Sequence, residues 1–264
     1  MKKIKLTNVK VDMLKPFFDE IDIKSSQTIT FTGSEINTKA YPKSKNYIKH
    51  KTINTEEIFT GGDKIGDTKL LLPLNSLDSI EKVLKFYSDG DISMTLHIDE
   101  QYIAKIEFDN GVHKFIAKSS DVEHVAPVLA DHVWSEFKSV DDSSVKATLT
   151  LERIKQIIKL HEISGSESGS IAITNTEKGL VLSNSHNSFS DANDKWSFDI
   201  DNELVTENKL KIGESRIFDM SIMKLIKDNE VTMNIKNFSG NEDKSVINFY
   251  GNDNSMVICI AVID

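Results

Sequence analysis

Cysteine is nearly absent: one residue, Cys259, in a chain of 264. No disulfide can therefore close within the chain, and no cysteine cluster can hold zinc. Cys259 lies in the apolar run 256–262, which predicts a buried strand and a core role for the thiol. No apolar run approaches the roughly 18 residues that a membrane span requires, so none is expected. The start, Met1-Lys2-Lys3-Ile4-Lys5, is basic but lacks the apolar stretch of a secretory signal. The expected compartment is the cytoplasm, the host's cytoplasm if the chain is viral. Positive charge is also in deficit, with 32 Lys and Arg against 41 Asp and Glu and a net charge of −9. Taken alone, that argues against a nucleic-acid partner. Net charge governs solubility and long-range association, however, and does not decide what one local surface does.

Catalytic constellations are missing as well. The histidines (His50, His97, His113, His124, His132, His161 and His186) are scattered. His161-Glu162 begins like a zinc-protease motif, but Gly165 stands where the second histidine belongs. In Gly165-Ser166-Glu167-Ser168-Gly169 a glutamate occupies the centre where a nucleophilic serine must be. Gly61-Gly62-Asp63-Lys64-Ile65-Gly66 lacks the spacing and the closing Lys-Ser/Thr of a phosphate loop. Both glycine segments read as turns. No enzyme activity, cofactor or metal is expected.

What is present is a tandem repeat, and the length suits two domains of roughly 130 residues. A strand over 3–9 leads to a helix over 12–21, with Leu14, Phe17, Phe18 and Ile21 at helical spacing. A strand over 145–149 leads to a helix over 151–161, with Ile154, Ile157, Ile158 and His161 at the same spacing. Asp12 and Thr150 are the expected N-caps. Alternating strands follow at 28–31 and 170–173. A second helix is expected in each half, with Leu77, Ile80, Val83 and Leu84 matching Ile222, Leu225 and Ile226. Strand segments 92–96 and 231–235, then 106–108 and 247–249, complete the match. The pattern predicts an α+β chain of two similar domains, 1–120 and 145–264, joined by a linker over 121–144. The apolar centre of that linker, around Val125 and Trp134, predicts that it packs along the surface.

Basic residues recur in the repeat. Lys155 stands 140 residues after Lys15, and Lys224 and Lys227 each stand 142 residues after Lys82 and Lys85. Arg153 and Lys159 join the polar side of the helix over 151–161. A single such lysine is ordinarily a solvated helix face. Recurrence in both copies favours a surface that grips a long polyanion through phosphates without reading bases.

The order strand–helix–strands–helix–strands, twice over, resembles the DNA sliding clamps. It is most similar to the processivity clamps of T-even-type bacteriophages and, more distantly, to the eukaryotic proliferating-cell clamp. The residues that carry the likeness are Leu151-Glu152-Arg153-Ile154-Lys155-Gln156-Ile157-Ile158, Ile171-Ala172-Ile173-Thr174, Gly179-Leu180-Val181-Leu182 and His124-Val125-Ala126-Pro127, together with the ending from Phe249-Tyr250-Gly251 to Ala261. The segment 37–66 departs from the pattern.

The resemblance implies two clamp domains per subunit, with antiparallel sheets outside and two short helices per domain lining a channel. It implies a head-to-tail homotrimer that encircles double-stranded DNA without sequence preference and tethers a DNA polymerase. Lys15, Lys82, Lys85, Arg153, Lys155, Lys159, Lys224 and Lys227 would face the phosphates. Edge strands near 112–118 and 195–200 would form the subunit contact through Val112, His113, Phe115, Lys195, Trp196 and Phe198. An ATP-dependent clamp loader would open the ring, and partner peptides would dock near Pro127, Val128 and Trp134. The competing reading is a β-rich viral structural or adaptor protein that forms a ring without binding DNA.

Overall fold

In the computed structural model, the described residues are 1–22, 25–42, 46–87, 92–125, 129–139, 141–164, 169–184, 195–238, 241–251 and 255–263. Two compact units divide the chain, Met1–Leu129 and Ala130–Asp264.

The first unit opens with β1 (Lys2–Val9), whose alternating burial puts Ile4, Leu6 and Val9 on the core side. It leads into α1 (Val11–Ile21), which buries Val11, Leu14, Phe17, Phe18 and Ile21 as one stripe. The helix begins one residue before Asp12, so the expected N-cap is displaced: Lys10 occupies that position and makes no side-chain cap bond. Pro16 is the sixth residue of the helix, past the N-terminal stretch whose N–H groups lack intrahelical acceptors, so it forgoes one i→i−4 bond. Strands β2 (Gln27–Phe31), β3 (Glu35–Ala40) and β4 (Tyr47–Asn54) follow, then the single turn α2 (Thr55–Ile58). Within segment 37–66, which fits no repeat pattern in sequence, the described residues include β3, β4, α2 and a 3-10 turn at Gly62–Lys64. Next come β5 (Leu70–Leu74), α3 (Asp78–Phe86), β6 (Ile92–Asp99), β7 (Tyr102–Asp109) and β8 (Lys114–Lys118). Antiparallel pairing runs β1–β6–β7–β8 and β4–β3–β2–β5, and a short parallel contact, Leu71 opposite Tyr102, joins the two. Both helices bury their apolar stripes in one core with Leu96, Ile106 and Phe108.

The second unit begins with α4 (Asp131–Lys138), a helix inside the segment read from sequence as a linker. Then come β9 (Val145–Thr150), α5 (Leu151–Ile163), β10 (Ser170–Thr176), β11 (Gly179–Asn184), β12 (Ser197–Asp199), β13 (Val205–Asn208), β14 (Ser215–Asp219), β15 (Glu230–Phe238), β16 (Asn241–Gly251) and β17 (Ser255–Ile263). Thr150 does cap α5: its Oγ1 accepts from the Arg153 N–H at 3.3 Å. Pairing is antiparallel and continuous in the order β13–β9–β15–β16–β17–β14–β10–β11–β12. Strands β9, β15, β16 and β17 thus repeat the order β1, β6, β7 and β8 of the first unit. Where a second helix was expected, the chain makes only a six-residue 3-10 helix, Met220–Leu225, capped by the Asp219 carboxylate on the Ser221 N–H at 2.8 Å. Its apolar residues Met220, Ile222 and Met223 follow the tighter turn, so the i, i+3 spacing read from sequence fits it equally well.

A fully buried guanidinium braces this second sheet. Arg216 on β14 donates to Ser245 Oγ at 2.7 Å, Glu214 Oε1 at 2.7 Å and its neighbour's carbonyl at 3.0 Å. Cys259 is buried, and burial pushes its thiol well above the ordinary range, so the side chain is an inert core group.

Candidate nucleic-acid interface

Apolar residues of α1, α3 and α5 point into the cores, which leaves the opposite helix faces to solvent. Those faces carry six of the eight basic positions, and the structure divides the eight into paired and unpaired. Lys15 is tied to Asp19 one turn along α1, Arg153 to Asp201, and Lys224 to Glu162 at 3.0 Å. Lys82, Lys85, Lys155, Lys159 and Lys227 are exposed and form no ion pair among the described residues. Lys224 lies on the 3-10 helix and Lys227 beyond its end, so neither is on an α-helix.

Arg153 is half-covered, and one of its terminal nitrogens is buried without a hydrogen bond among the described residues. Further along α5, the His161 ring meets the Trp196 ring edge to face at 6.0 Å. Burial, then nearby Lys224, holds the His161 imidazole below its usual pKa, favouring the neutral ring.

Of the proposed subunit-contact residues, Phe115 lies on β8 and Phe198 on β12, while Val112 and His113 precede β8 and Lys195 and Trp196 precede β12. β8 pairs with β7 alone and β12 with β11 alone among the described residues, so each leaves one row of backbone groups open within its own unit. Around β8 the apolar exposure is high: Val112 is 82% exposed, Phe115 40% and Ile116 42%. Phe86 on α3 is 64% exposed and stacks edge-on against His113. On the other edge Lys195 is exposed and Phe198 half-buried, but Trp196 is buried in the second unit, its backbone N–H on Asn184 Oδ1 at 3.2 Å.

Of the three positions expected to take a partner peptide, Pro127 and Val128 lie outside the described residues. Trp134 is buried on α4 and borders a groove of ≈ 680 Å³ with Ser135, Lys138, Lys146, Asn234 and Tyr250. α4 packs against the face of β15 and β16 opposite α5. Its last carbonyls, which have no partner within the helix, are met by side chains of the sheet. The amine of Lys236 donates to the Glu136 carbonyl, Asn248 Nδ2 to that of Phe137 at 2.8 Å, and the Tyr250 hydroxyl to that of Lys138. Burial lowers the Lys236 amine's pKa. The sequence signal for α4 is the i, i+3 pair Trp134 and Phe137, too short to distinguish a helix from a packed linker.

Among the described residues no group of three or more His, Cys, Asp or Glu side chains could hold a metal ion. Among the described residues no helix is long and apolar enough to cross a membrane.

No protein-family model matches the chain, and no curated protein matches it. Solved structures do. PCNA from Thermococcus kodakaraensis shares 14% identity with a TM-score of 0.62, covering 100% of both chains. A. fulgidus PCNA, solved with the C-terminal region of FEN-1, shares 13% identity with a TM-score of 0.61, over 100% of this chain and 98% of that one. The Proliferating Cellular Nuclear Antigen of Entamoeba histolytica shares 15% with a TM-score of 0.62, over 99% of this chain and 98% of the other. At these identities the likeness establishes the fold: the chain has the sheet-rich α+β architecture of the PCNA-type sliding clamps from end to end.

Proposed function

We propose that this protein is a DNA sliding clamp, a ring that encircles duplex DNA and holds a polymerase at its primer end. The observation that carries the reading is full-length clamp architecture whose exposed helix faces bear unpaired lysines in both units. Lys82, Lys85, Lys155, Lys159 and Lys227 meet phosphates directly. Lys15, Arg153 and Lys224 contribute less, because each already faces a carboxylate. Sparse, flexible ammonium groups on a chain of net charge −9 suit loose contact with a duplex that must slide.

Closure joins β8 of one subunit to β12 of the next, head to tail, in a homotrimer. The exposed Val112, Phe115 and Ile116 support the β8 side of that contact. Partners, a DNA polymerase among them, dock by short peptides beside Trp134, and an ATP-dependent loader opens the ring. Within this reading the protein serves a T-even-type bacteriophage and works in the host cytoplasm; the residues named in the sequence likeness support that assignment.

The test is topological retention. The protein is incubated with linear duplex, both ends are then blocked with bound streptavidin, and the complex is washed in high salt. A ring stays on blocked DNA and leaves when the duplex is cut. Equal loss from blocked and open duplex would refute the ring.

A further inference from the structure

On the face of the first unit's sheet opposite α1 and α3, one cross-strand row reads Lys3 on β1, His97 on β6, Lys105 on β7 and Lys118 on β8. Each residue stands directly opposite the next: Lys3 faces His97, His97 faces Lys105, and Lys105 faces Lys118. We propose that this row is a docking site for an acidic peptide segment of a partner protein.

Like charges placed directly opposite across strands destabilise a sheet. Here Lys105 and Lys118 are so placed, and Lys3, Lys105 and Lys118 form no ion pair among the described residues. A neighbouring lysine on the same strand shows the alternative: Lys114 is neutralised by Glu107 at 2.9 Å and Asp109 at 3.7 Å. His97 is only 4% exposed although it lies outside the apolar core, and neither ring nitrogen has a hydrogen bond among the described residues. Its nearest carboxylate is Glu107, 3.5 Å from Nε2. Burial, and after it Lys105 and Lys3, holds the imidazole below its usual pKa against the opposing pull of Glu107. The row therefore keeps uncompensated cations around a neutral ring, in a chain that is acidic as a whole.

Four strands at roughly 4.8 Å spacing give the row a span of about 14 Å. An extended segment of about four residues, at roughly 3.3 Å each, covers it. No aromatic side chain stands in the row to stack a base, which favours carboxylates over a single nucleic-acid strand. The proposal does not depend on the clamp reading, since the row lies on the sheet face away from the helices.

The test uses the full chain and a peptide containing four consecutive glutamates, with a four-glutamine peptide as control. Binding is followed through the His97 imidazole resonances. Carboxylates on the row should shift the ring towards its protonated form and give a saturable curve. Lys105→Gln with Lys118→Gln should weaken binding roughly two- to thirty-fold, from the usual range of exposed ion pairs. Lys178→Gln in the second unit should leave it unchanged. Absence of saturable binding, binding that leaves His97 unmoved, or binding indifferent to the double substitution would each overturn the proposal. An oligothymidine strand that moves His97 at lower concentration than the glutamate peptide would also overturn it, by assigning the row to nucleic acid.

Discussion

Replacing Lys155 and Lys159 of α5 with glutamine separates the clamp reading from an incidental basic surface. Both are exposed and unpaired among the described residues, whereas Arg153 on the same helix is held by Asp201 and Lys15 on α1 by Asp19. Each lysine seated on a phosphate releases counterions, so log affinity falls with log salt by a slope of about 0.9 per contact. A homotrimeric ring carries six of these lysines, so the Lys155→Gln, Lys159→Gln variant should show a slope shallower by at most about 5.4. Lys15→Gln should change it by well under half as much, because Asp19 already balances that ammonium and fewer ions are released when it nears a phosphate. Fluorescence anisotropy of a labelled duplex across a salt series reads both slopes, with circular dichroism as the check on folding. An unchanged slope in the α5 variant, or a larger change for Lys15→Gln, would refute the assignment of these lysines to phosphates.

Three further outcomes follow from particular contacts. Arg216→Met should destabilise the chain by about 3 kcal/mol, the low end for breaking a buried pair, because Glu214 keeps 28% exposure. The Lys211 backbone N–H and the Arg216 guanidinium hold the Glu214 carboxyl below its ordinary 4.5, so that contribution is complete above this pH and lost as the pH falls through the folded value. Urea unfolding at neutral pH and near pH 3.5 should accordingly show a larger cost at neutral pH; an equal cost at both would contradict the pairing. Thr150→Ala removes the α5 cap and should cost about 1 kcal/mol by the same assay. Ile116→Pro on edge strand β8, where the register turns the backbone N–H away from β7, should lower the assembled mass while leaving the far-ultraviolet spectrum unchanged, and an intact assembly would relocate the subunit contact.

Much of the architecture is legible in the sequence because apolar spacing repeats. Leu14, Phe17, Phe18 and Ile21 define α1, and Ile154 and Ile157 define α5, each at helical period. The 3-10 helix at Met220–Leu225 is not legible as such, because i, i+3 spacing satisfies both helix types over so short a run. α4 is hidden because its fixing contacts come from Lys236, Asn248 and Tyr250, far away in the chain. The basic positions are readable from the repeat, but their division into paired and unpaired is not. Asp201 reaches Arg153, and Glu162 reaches Lys224, only through the fold. The family resemblance implies a subunit contact at Trp196, and its ring packs inward on His161. Nor can pattern alone align Lys3, His97, Lys105 and Lys118, since strand register decides which residues stand opposite.

The most direct test of the central claim is the solution mass by light scattering on a sizing column, followed through a dilution series. A homotrimeric ring predicts a mass near three times the 29.7 kDa of one chain at the higher concentrations, dissociating on dilution. A mass of 29.7 kDa at every concentration would contradict it.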